Sequence, residues 1–180
     1  MTDPKVPIEL APEYSKAIGY VAIAWSAVEY HINLAIWELA GVPSGVGACM
    51  TAQIYTFDGR MKALIALLNL KRVPPSIIKD ANRFHEDTRG PQEIRNRVIH
   101  DYWVWDAAGA IHRLEMTASK KLKLEAVPVS LDELNQHYET MKQMVDRAAE
   151  LKAKIYAALP SLPEIPQSEL QPITDRRSDQ

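Results

Sequence analysis

A single cysteine, Cys49, stands in this chain of 180 residues. It rules out an intramolecular disulfide framework and any zinc site built from several cysteines of one chain, and it fits a reducing compartment. Charge of neither sign is in excess: 21 Lys and Arg against 23 Asp and Glu leave a formal net charge of -2. No global field therefore draws nucleic acid or an acidic membrane, and such a partner needs a local basic patch. The basic flank and apolar stretch of a signal peptide are missing from the amino terminus, where Met1 to Pro12 carries three prolines and reads as a short arm. The longest apolar region, Ile18 to Trp37, is interrupted by Glu29, His31 and Asn33, which are costly at mid-bilayer. The expectation is a soluble, cytoplasmic protein with no membrane partner. Glycine-rich phosphate loops, nucleophile elbows and paired acidic motifs are absent, so kinase, GTPase, serine hydrolase and glycosidase chemistry has no support. His31, His85, His112 and His137 lie singly, without the spacing of metal ligands. No internal repeat is visible.

What is present is helical periodicity. Tyr14, Ile18, Val21, Trp25, Val28, Ile32, Ile36 and Leu39 recur three or four apart and form one stripe of a long helix, which Gly41, Pro43, Gly45 and Gly47 end in a connecting loop. Thr56 or Asp58 can cap a second helix to about Lys71, stopped by Pro74 and Pro75. A third helix starts at Ser76, reaches Gly90-Pro91 and continues, kinked, to about Val98. The period then changes. Tyr102 to Trp105, Ile111 to Thr117 and Leu122 to Val129 alternate as strands of a small hairpin or three-stranded patch, and Leu122, Leu124 and Ala126 oppose a solvated face of Lys121, Lys123 and Glu125. Ser130-Leu131-Asp132-Glu133 is a capping box, with Val129 and Leu134 placed as a hydrophobic staple, so a last long helix begins at Leu131. Its stripe runs through Leu134, Tyr138, Met141, Val145 and Ala148 and shifts to Leu151, Ile155 and Ala158, leaving Lys152 off the seam. The expected fold is mainly α: a four- to five-helix bundle over residues 13–159 with a small β-hairpin insertion at about 102–129. Residues 160–180, with Pro160, Pro163, Pro166 and Pro172, read as a disordered tail.

Functional chemistry concentrates in Arg95-Asn96-Arg97-Val98-Ile99-His100. A histidine near neutral pKa can take the proton of a ribose 2′-hydroxyl, an arginine can grip the phosphate as negative charge builds, and Asn96 can orient either the histidine or the phosphate. Such residues support RNA cleavage without a metal or other cofactor. On an ideal helix Arg95 and His100 point about 140° apart, whereas Asn96 and His100 lie about 40° apart. Convergence of the first pair requires a helix that unwinds between Val98 and His100, or a second protomer. A bland alternative exists: cationic residues in a last turn offset the helix dipole, and His100 can bond terminal carbonyls.

The segment resembles the Arg-x4-6-His signature of the HEPN superfamily of helical nucleotide- and RNA-binding domains. Through Tyr102 it is similar to the Arg-x4-His-x-Tyr motif of HEPN toxins paired with nucleotidyltransferase antitoxins. The resemblance implies a helical bundle, a homodimer with motif helices facing each other, and metal-independent endoribonuclease activity or, in other members, binding without cleavage. Arg95 and His100 are then catalytic, and Tyr102 is the residue an antitoxin modifies.

Other residues divide between a role in this site and a structural one. Glu29, at the border of the first apolar stripe, can orient His100 or Arg95, or pair with a structural arginine; Arg97 is a further support. Trp103 and Trp105 can stack on bases or close the end of the core. Lys120, Lys121 and Lys123 can touch phosphates or form a solvated strand face.

Overall fold

A computed structural model describes residues 10–106, 109–118 and 122–161. The protein is mainly α with a small antiparallel sheet, as its periodicities predict. The elements run α1 (Pro12–Ala40), α2 (Ser44–Thr51), α3 (Phe57–Leu70), α4 (Pro75–Asp87), α5 (Arg89–His100), β1 (Tyr102–Trp105), β2 (Ile111–Ala118), β3 (Leu122–Pro128) and α6 (Leu131–Ala158), closed by a 3-10 turn at Leu159–Ser161. With α4 and α5 taken as one interrupted helix, the bundle has five rods. Pro160 belongs to that closing turn; the rest of the expected tail, residues 162–180, and most of the expected arm, residues 1–9, lie outside the described residues.

The central pair is α1 and α6. Tyr14 at the start of α1 donates to the Val129 carbonyl just before α6 (3.3 Å), and Tyr156 near the end of α6 donates to the Leu34 carbonyl (3.2 Å), so the two long helices run parallel. Val21, Trp25, Val28 and Ile32 from α1 and Leu134, Met141, Ala148 and Ile155 from α6 are essentially removed from water. The apolar stripes therefore meet as expected, except that Met144 rather than Val145 is buried. Lys152 is off the seam, and Leu151 and Ile155 carry it on.

Local signals explain most boundaries. Gly41 takes the left-handed conformation (φ 67°) and ends α1. Thr56 accepts from the Gly59 amide (3.0 Å) and starts α3, and Ser130 accepts from the Glu133 amide (3.1 Å) at the expected start of α6. Two boundaries differ from expectation. The glycine-rich stretch after α1 is not all loop but holds α2, because Gly47 packs on the Trp37 ring with no room for a Cβ, while Trp37 donates to the Thr51 hydroxyl (3.2 Å). Tertiary packing thus rescues a helix whose composition opposes it. The break before the motif falls at buried Thr88 rather than at Gly90-Pro91. Pro91 sits in the first turn of α5, where a missing amide hydrogen costs nothing, so the helix restarts ahead of it.

The sheet has the order β1-β2-β3 with both pairs antiparallel. Its register sets Tyr102 beside Leu114 and Ala126, and Met116 beside Leu124.

Candidate functional site

The motif occupies the last turns of α5. The helix is continuous to His100, so the expected unwinding between Val98 and His100 does not occur. The Arg95 Nη1 donates to Asn96 Oδ1 (3.0 Å), and Asn96 stands one turn before His100 on the same side of the helix. All three border one surface depression of about 610 Å³, walled also by Trp25 and Glu29 of α1, by Tyr55 to Phe57 ahead of α3, and by Met116 of β2.

The side chains there differ sharply in how they are held. His100 is exposed and makes no side-chain hydrogen bond or ion pair with any described residue. The helix end does not need it: the Asp101 amide donates to the Arg97 carbonyl (3.0 Å) and the Trp103 indole donates to the Val98 carbonyl (3.1 Å). Arg95 is half-buried, has no carboxylate partner among the described residues, and holds a buried Nε without an acceptor. A cation so placed retains most of its charge for a ligand.

Arg97 is different. It lies 3.6 Å from Glu115, 3.8 Å from Asp101 and 4.0 Å from Glu93, and Arg113 binds both Asp101 and Glu115. These charges satisfy one another and tie the end of α5 to β2. Glu29 pairs with Arg60 (3.1 Å) behind the depression, so its carboxylate is engaged by a structural arginine rather than by Arg95 or His100. Trp103 is packed against the core and Trp105 is half-buried, and neither lines the depression. Tyr102 is 48% exposed at the start of β1. Lys123 is exposed on β3, away from the lining of the depression, whereas Lys120 and Lys121 lie outside the described residues.

Reading the sequence missed Tyr55 and Met116, which are 87% and 64% exposed and line the depression. The one available signal was that Tyr55 lies outside every apolar stripe, so no core position accounts for it. No helix among the described residues is by itself long and apolar enough to cross a membrane, and no three His, Cys, Asp or Glu side chains among them are grouped to hold a metal ion. No family model, curated protein or solved structure matches this chain.

Proposed function

We propose that the chain is a HEPN-like, metal-independent endoribonuclease, acting as a homodimer in a toxin or defence role. One observation carries this reading: His100 and Arg95 border the same open depression while the structural tasks their neighbourhood demands are done by other residues. The Trp103 indole caps the helix end, and Arg97 and Arg113 neutralise the carboxylates. In this reaction His100 takes the 2′-hydroxyl proton, the 2′-oxygen attacks the adjacent phosphorus, and the bond to the 5′-oxygen breaks as that oxygen takes a proton from water, leaving a cyclic phosphate, a 5′-hydroxyl and a histidinium that returns its proton to solvent. Arg95 holds the phosphoryl oxygens as they gain charge, and Asn96 fixes the guanidinium. RNA and an antitoxin are the partners this reading brings, with Tyr102, two residues beyond His100, as the position for regulatory modification.

A second reading is a noncatalytic nucleotide-binding or interaction module. It is favoured by the state of two carboxylates at the depression: Glu29 and Asp101 are held by arginines and so do not supply a second proton-transfer group beside His100. Assays of purified wild type, His100→Ala and Arg95→Ala on diverse RNAs without metal separate the two. Loss of one general acid–base group should slow cleavage by about 10²–10⁴-fold, with unchanged circular dichroism because His100 is exposed. Intact RNA with the wild type, or equal cutting by His100→Ala, removes the enzyme reading; retained RNA binding in that event supports the module. Growth arrest on expression that Arg95→Ala abolishes tests the toxin role.

A further inference from the structure

The free edge of β3 has features that no part of the site explains. In this sheet the amide of Val129 bonds to the Ile111 carbonyl and that of Asp106 to the Ala110 carbonyl. Antiparallel pairs alternate in their hydrogen bonding, so odd-numbered residues of β3 bond to β2, and Leu122, Leu124 and Ala126 aim their amides and carbonyls at the open edge. Such a row is a template for another strand. The side chains along it are also unspent: Leu122 and Leu124 are 70% and 60% exposed, and Lys123 and Glu125 are exposed and form no ion pair with a described residue. Glu125 stands directly across from Glu115, whose charge Arg113 and Arg97 already take up, while Glu125 itself has no ion pair among the described residues.

We infer that β3 is a homodimer contact, in which the β3 strands of two copies pair antiparallel about a two-fold axis through Leu124 to make one six-stranded sheet. In this register each Leu124 exchanges both backbone hydrogen bonds with its symmetry mate, and Leu122 exchanges both with Ala126 of the other copy. Every outward group from Leu122 to Ala126 is then satisfied. The same register sets Lys123 opposite Glu125 of the other copy, twice, at non-hydrogen-bonded positions where side chains approach most closely. A lysine on an edge ordinarily guards against pairing; followed two residues later by a glutamate, it selects one antiparallel self-pairing and penalises a slip by two residues, which stacks like charges. Pro128, the next outward position, lacks an amide hydrogen and ends the ladder. The two-fold axis stands perpendicular to the sheet, so Met116, Leu122 and Leu124 of both copies share one face. The ribonuclease reading also takes a homodimer, whereas this contact rests on the β3 edge alone.

Sedimentation of the full chain should show a dimer. Lys123→Glu and Glu125→Lys, each creating two like-charge pairs on an exposed surface, should each weaken it about tenfold or more, and the double variant should restore it. Amide exchange at Leu124 should slow as the dimer forms, although that amide has no acceptor among the described residues. A monomer at all concentrations, a dimer indifferent to both single swaps, or a double variant no better than the singles overturns the inference. A monomer counts against the homodimer of either reading, whereas the charge swaps read the β3 contact and the RNA assays read the activity, so these two can fail separately.

Discussion

At the scale of single residues, identity alone did not separate the useful arginine from the structural one. Arg95 and Arg97 are two apart in sequence, yet Arg97 is enclosed by Glu93, Asp101 and Glu115 while Arg95 meets no carboxylate among the described residues. The carboxylates that decide this come from β2 as well as from α5, and such long-range pairing leaves no mark in local spacing. His31 makes a separate, testable point. Its Nδ1 is buried without a partner, and desolvation, with a smaller contribution from nearby Lys152, lowers its pKa from the usual 6.5. The unfolded chain therefore binds a proton at a pH where the folded one does not, so stability is highest above about 6.5 and declines as pH falls through the lowered folded value. Urea unfolding at neutral and mildly acidic pH should show this loss, and His31→Gln should reduce its slope.

Elements were legible where a local chemical signal sets them. The capping box at Ser130 gives the start of α6 to the residue, and Ser130→Ala should cost about 1 kcal/mol in thermal or denaturant unfolding, the usual magnitude for a lost N-cap. Thr56 behaves likewise at α3. Where the deciding interaction is distant, the reading failed. Helix α2 exists because Gly47 lets its backbone lie against Trp37 of α1. In the sheet, alternation correctly gave strands with one apolar and one polar face, and the natural extrapolation is that the apolar face turns inward. Instead the Arg113 and Glu115 face is held against α5 by Asp101 and Arg97, which leaves Met116, Leu122 and Leu124 toward solvent. An ion network on one face thus chose the orientation of the other.

On the scale of the whole molecule, α1 and α6 form a parallel pair against which the other helices and the base of the sheet pack, with one continuous core from Ala17 to Ile155. Met141 is fully buried at the middle of that seam, and Met141→Ala should destabilise the protein by about 2–5 kcal/mol through lost burial and the cavity left behind. Because one core joins α1, α3, α4, α5 and α6, calorimetry should record a single cooperative transition at a lower temperature rather than separate melting of these helices. By itself the amino-acid sequence determined the helices with strong amphipathic stripes, their capped ends, the strands and the helix on which Arg95, Asn96 and His100 lie, since periodicity and capping act over a few residues. Only the tertiary structure decided which charges remain unpaired, which face of the sheet is exposed, and that Arg95 and His100 border one depression without a break in α5. Those outcomes depend on the positions of Asp101, Glu115, Trp103 and Trp37 relative to elements distant in sequence.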